Sequence, residues 1–101
     1  MTGIRCGWNV SKAASNLKKH GVSFETATRV FCDPFALTEQ DRIEDGEPRW
    51  QTLGLVEGDL LLLVAHTVAE DDEAGQPVEV IHIISARRAD RKERRRYEEG
   101  R

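Results

Sequence analysis

Apolar residues recur along this chain in patterns short enough to assign one element at a time. Ile4, Cys6 and Trp8 alternate with polar or small neighbours, which predicts a short strand at a sheet edge. Ala13, Ala14 and Leu17 form an apolar stripe with Lys12, Lys18 and Lys19 turned to water, which predicts a helix over 11–19. Asn9 or Ser11 caps its start and Gly21 ends it. Phe24, Ala27, Val30 and Phe31 fall on one side of a second helix over 23–31, opened by Ser23. Asp33-Pro34 stops it, because the proline ring disfavours helical geometry at the preceding residue.

From there the pattern turns to strands. Residues 35–39 read as one strand, 40–48 as a polar loop carrying Asp41, Glu44, Asp45 and Glu47, and 49–56 as the next strand. Glu57-Gly58-Asp59 is a turn. The run LLLLVAHT over 60–67 is almost continuously apolar, as a central strand covered on both faces requires. Residues 69–77, AEDDEAGQP, read as a long acidic loop, followed by a β-branched strand from Val78 and a basic helix over 90–99. The order β-α-α-β-β-β-β-α predicts an α+β fold: an antiparallel meander packed on one face by the first two helices, with the other face or one end left for function.

At 101 residues the chain is expected to be a single domain over 1–101. A net charge of -3 argues against a generally basic nucleic-acid protein, but the charge is unevenly spread. From Arg87 onward there are eight Lys or Arg against four Asp or Glu, while the preceding residues carry seven against fourteen. A basic end beside an acidic body can steer an anionic partner to one face. Cys6 and Cys32 belong to no CxxC or Cys/His cluster, and His20, His66 and His82 are scattered, so no metal is expected. With neither a signal-like segment nor an apolar run near the roughly 20 residues that span a bilayer, the chain is expected to be cytoplasmic, away from membranes, with both thiols free and buried.

The candidate chemistry gathers at strand ends. Glu47 and Arg49 stand where one strand enters, His66 where another exits, and Arg87 and Arg88 where the last one leaves. Trp8 offers a stacking surface. Cleaving an RNA backbone without metal needs a base for the 2′-hydroxyl proton, an acid for the leaving 5′-oxygen and cations for the phosphate. Glu47 or His66 can serve as base or acid, and Arg49, Arg87 and Arg88 as cations. The plainer readings stand beside these: a core histidine, a core tryptophan, an Arg49–Glu47 surface pair and a solvated basic helix.

Three blocks carry a family resemblance. Residues 8–13 (WNVSKA) with 16–24 (NLKKHGVSF), then 30–34 (VFCDP), then 83–89 (IISARRA) with Glu93, Arg94 and Tyr97, resemble the BrnT family in the same order. The resemblance implies a RelE-like fold and a ribonuclease toxin of a type II toxin-antitoxin pair, working without metal or cofactor. It implies a BrnA-like DNA-binding antitoxin, a two-plus-two assembly, and contact with operator DNA only through that antitoxin. Trp8, Lys12, Glu47, Arg49, Arg87 and Arg88 match the family's polar or aromatic positions, with Trp8, Lys12 and Arg88 expected to bind RNA and Glu47, Arg49, His66 and Arg87 to act in catalysis. The chain departs from the pattern at Asn9 in place of an aspartate, at Val68 and Ala69 in place of an acidic residue and an arginine, and at His82 in place of an arginine. His66 or His82 is expected to stand in for the lost arginine. The competing class is a toxin-like binding module without catalysis, acting as corepressor or scaffold. Direct DNA binding by the last helix is weaker, since Glu93, Glu98 and Glu99 interrupt it.

Overall fold

The computed structural model describes residues 3–100. Strand β1 (Gly3–Trp8) leads to helix α1 (Val10–His20), then to a single turn, α2 (Phe24–Ala27), which tightens into a 3-10 segment (Thr28–Cys32). Strands β2 (Leu37–Glu44), β3 (Glu47–Glu57), β4 (Leu60–Glu73) and β5 (Gln76–Arg88) follow, and helix α3 (Arg91–Glu99) closes the fold. The caps are those the residue types dictate. Asn9 accepts from the Lys12 amide, Ser23 from the Thr26 amide, and Gly21 takes the left-handed conformation at φ 71°. The second helix is shorter than expected because its last residues adopt 3-10 geometry.

The sheet order is β1-β5-β4-β3-β2. The four later strands form the expected antiparallel meander, and β1 lies at an edge. However, β1 runs parallel to β5, so the sheet is mixed and the expectation of a purely antiparallel one is corrected. The chain crosses the whole helical layer and the meander between these two strands, which frees their pairing from hairpin geometry. Two expected loops are strands as well. Residues 40–48 and 69–77 are ladders reversed by the pairs Asp45-Gly46 and Ala74-Gly75, all four at positive φ. That backbone hand matches the twist of the strands it joins.

Strand alternation divides the core in two. Leu62, Val64, Ile81, Ile83 and Ala86 turn toward Val22, Phe24, Ala27 and Val30 of the helical layer. Leu53, Leu61 and Leu63 turn the other way, under Tyr97 of α3, with Leu37, Leu55 and Ala89 at the margin. β4 is therefore buried on both sides, as its apolar run requires. The face expected to be bare is covered at one end by α3. Asp90 and Glu93 close a reciprocal capping box at the start of that helix. Near its end the Tyr97 hydroxyl donates to Asp33 Oδ2 at 2.6 Å, an oxygen that also accepts the Leu55 amide at 2.8 Å.

Two close fits hold the helical layer to the sheet. The β1–β5 ladder ends at Trp8 opposite Ile83, and beyond it Asn16 of α1 takes the place of a strand. Its Oδ1 accepts the Ala86 amide at 3.1 Å, and its Nδ2 donates to the carbonyls of Ala86 at 2.8 Å and Val22 at 3.0 Å. On β3, Gly54 lets the 3-10 segment approach so closely that an added Cβ would lie 2.8 Å from Val30 Cβ and 3.0 Å from the Val30 carbonyl oxygen. Gly54→Ala is expected to cost about 1–3 kcal/mol by overpacking. Val30→Ala should not restore the loss, because the obstructing Cβ and carbonyl remain. Denaturant unfolding of the single and double variants checks both.

Candidate active site

Register and alternation assign each candidate side chain to one face. On the face that carries α3, Leu37, Leu53, Leu63 and Arg87 form one row, and Glu39, Gln51, Ala65 and Ser85 form the next. Continuing the alternation, Arg49, Thr67 and His82 form a third row, with Glu47 further toward the β2–β3 turn. Of the expected residues, Glu47, Arg49 and Arg87 thus share a face. The other four do not join them.

His66 is the clearest correction. It points into the helical layer and is only 1% exposed. Its ring meets Phe31 edge-on at 5.0 Å between centroids. Thr52 Oγ1 lies 2.7 Å from Nε2, and the Thr67 carbonyl 3.1 Å from Nδ1. A carbonyl can only accept, so Nδ1 carries the proton and Nε2 accepts from Thr52, whose hydroxyl in turn takes a hydrogen bond from Thr38 at 2.9 Å. This satisfied, neutral histidine has no route to RNA, and it cannot replace a surface arginine. His82, by contrast, is exposed on the open face.

Burial lowers the His66 pKa from its ordinary 6.5. Below about pH 6.5 the unfolded chain takes up a proton that the folded one refuses, so this contribution to stability is complete above that pH and is lost as pH falls. As pH falls below about 6.5, stability should drop by up to about 1.4 kcal/mol per pH unit. His66→Gln should flatten the slope over the same window, measured by urea unfolding. Glu93 and Asp71, both held below the carboxylate range, contribute only at more acidic pH.

Trp8 packs edge-on against Phe24 at 6.0 Å between centroids, on the helical side. Arg88 takes the alternate direction to Arg87 and is exposed. Lys12 lies on the exposed side of α1, in a groove with Ile84 and Ser85 of β5. Cys6 is half-buried, with its thiol pKa pushed up by burial, and Cys32 is exposed rather than buried; both are free thiols.

What the open face does carry is three arginines set among polar side chains. Arg87 makes a two-pronged pair with Glu93, at 2.9 Å and 2.8 Å, which raises the arginine pKa and lowers that of the glutamate. Arg96 of α3 reaches Glu39 at 3.7 Å. Arg49 is three-quarters buried; its Nε lies 3.7 Å from Glu44 and has no hydrogen-bond partner, the one such buried side-chain atom among the described residues. Gln51, Thr67 and Ser85 lie between them. Sequence reading missed Glu93, Arg96 and Gln51 as parts of this face. The Asp90-x-x-Glu93 capping signature was the signal that would have fixed the position of the glutamate and so of Arg87.

Comparison with known proteins identifies the fold and the family. The fold matches the 1.1 Å crystal structure of the Brucella abortus ribonuclease toxin BrnT with a TM-score of 0.60, over 89% of this chain and 100% of that one, at 18% identity. No curated protein matches by sequence. A family model described as the ribonuclease toxin BrnT of a type II toxin-antitoxin system matches residues 8–93. With most of its length inside that match, the chain belongs to the BrnT family of type II toxin-antitoxin ribonuclease toxins.

Proposed function

We propose that the chain is a metal-independent endoribonuclease that cleaves cellular RNA on the open sheet face beside α3. The observation that carries this reading is the convergence of Arg49, Arg87 and Arg96 on one face, with an Arg49 donor left unsatisfied by the protein. The two non-bridging oxygens of a phosphodiester are acceptors that the planar guanidinium fork fits. Arg49 and Arg87 hold the scissile phosphate and offset the charge that builds on it. His82, exposed in the row of Arg49, and Glu47, further out, transfer protons. One removes the proton of the 2′-hydroxyl, whose oxygen attacks phosphorus, and the other protonates the departing 5′-oxygen. The products are a 2′,3′-cyclic phosphate and a 5′-hydroxyl. Glu93 is a positioning residue that fixes the Arg87 fork.

The family implies an antitoxin; we take it to be a small DNA-binding protein of the BrnA type, assembling two-plus-two with the toxin and bringing it to operator DNA. Incubating the purified chain with single-stranded RNA in EDTA tests the chemistry. Cleavage that leaves cyclic phosphate ends and is blocked by 2′-deoxy substitution is expected. Activity that vanishes in EDTA, or products with 5′-phosphate ends, would contradict the mechanism. No cleavage and no growth arrest on induction would favour the binding-module reading instead.

A further inference from the structure

β1 stops opposite Ile83, yet β5 continues to Arg88, so the last part of β5 has α1 rather than a strand beside it. The ladder with β4 shifts here too: Ala65 pairs with Ser85 and His66 with Ile83, leaving Ile84 as an extra residue that bends the edge outward. Between this bulge and α1 runs an open groove of about 270 Å³ lined by Lys12, Ser15, Asn16, Lys19, His20, Ile84 and Ser85. Lys12, Ser15 and Lys19 recur at helical spacing, so they form one stripe along α1. Asn16 is wholly engaged with the backbone of Ala86 and Val22, so it is wall rather than ligand. No acidic residue lines the groove.

Ser85 joins this groove to the active face. It sits in the row of Gln51 and Ala65, next along β5 from Arg87, and also forms the groove's rim. We infer that the groove is a second nucleic-acid subsite, taking backbone phosphates of the single strand that flanks the scissile bond as it passes over the bulged edge of β5 beside α1. Lys12 and Lys19 bind those phosphates, with the Ser15 and Ser85 hydroxyls as further donors. The two lysines are separated by about 10 Å along the helix, which spans about three nucleotides at the roughly 3.4 Å rise of a stacked strand. This rests on the proposed ribonuclease function and adds the path of the substrate to it.

The test is the salt dependence of binding of a single-stranded RNA of a dozen 2′-O-methyl nucleotides, which cannot be cleaved, followed by fluorescence anisotropy. Lys18 and Lys19 are adjacent and exposed, but only Lys19 lines the groove. Lys19→Gln should reduce the slope of log K against log salt by about 0.7 and weaken binding on the order of five-fold at 0.1 M salt. Lys18→Gln should leave the slope unchanged, and Lys12→Gln with Lys19→Gln should remove about twice as much as Lys19→Gln alone. Equal effects of the Lys18 and Lys19 changes, or no effect of either, would overturn the groove while RNA cleavage by the wild-type chain leaves the proposed function standing. If the wild-type chain neither binds nor cleaves RNA, both fall. Loss of antitoxin binding with RNA binding intact in the Lys19 variant would assign the groove to a protein partner and likewise overturn it.

Discussion

Arg87→Ala is expected to slow RNA cleavage by roughly 100- to 1,000-fold, the loss typical of removing one donor aimed at charge that develops in the transition state. Arg87 stands on the open face with its fork fixed by two bonds to Glu93, so its geometry is set before any substrate arrives. The effect should fall mainly on the rate of bound substrate. Arg87→Lys keeps the charge but loses the fork, and an intermediate rate is expected. Glu93→Gln keeps hydrogen-bonding capacity at the helix cap while weakening the hold on Arg87, so a smaller loss than that of Arg87→Ala should appear. The Arg87–Glu93 pair is partly exposed, with side-chain accessibilities of 40% and 16%, so its removal should cost no more than about 1 kcal/mol of stability. Single-turnover cleavage at saturating RNA, paired with thermal unfolding, separates the two effects. Cleavage by Arg87→Ala at the wild-type rate would remove Arg87 from the mechanism.

The largest expected effect on stability is at Asn16. Asn16→Asp replaces an amide that donates to two carbonyls by a group that, when ionised, can only repel them. Asn16 is 7% exposed, so water cannot make good the loss. Two stranded carbonyls and a buried charge should together cost about 3–5 kcal/mol. Against the roughly 5–15 kcal/mol of an ordinary domain this is a large share, and it should lower Tm by roughly 15–30 °C. The sign of the pH response distinguishes this account from simple loss of packing. Once protonated, the introduced carboxyl can donate one hydrogen bond, so the difference from wild type should shrink as pH falls. A deficit that is the same at all pH values would contradict it. Because Asn16 secures Ala86, between Ser85 and Arg87, the variant's residual activity should also be reduced.

Much of this fold was legible in the chain because the determinants are local. Asn9, Gly21, Ser23 and Asp33-Pro34 mark helix ends through their own side chains or rings, and the run at 60–67 announces a doubly buried strand. The missing pieces depend on partners distant in sequence. Nothing in Ile4, Cys6 or Trp8 says that the strand they form will lie parallel to β5. The acidic residues from Glu70 to Glu73 read as a loop because strand propensity disfavours them, but a two-residue turn and the pairing of Arg5 with Asp71 and Glu73 hold them in a ladder.

The site divides along the same line. Glu47, Arg49 and Arg87 fall on one face because residues two apart on a strand share a face and antiparallel register aligns the rows. His66 reads like a catalyst from its residue type and strand-end position. One step in alternation, fixed by the long-range pairing of Trp50 with His66, sends it to Phe31 and Thr52 instead. Arg96 and Gln51 matter only once α3 is laid across the sheet, a placement that Tyr97 and Asp33 decide.

The central claim is that RNA lies on the sheet face beside α3, and amide chemical shifts of the labelled chain titrated with uncleavable 2′-O-methyl RNA test it most directly. The shifts are expected to concentrate at Arg49, Gln51, Thr67, His82, Ser85 and Arg87, and to continue along α1 at Lys12, Ser15 and Lys19. Shifts centred on Trp8, Phe24 and the 3-10 segment, with the rows of β3, β4 and β5 undisturbed, would contradict it.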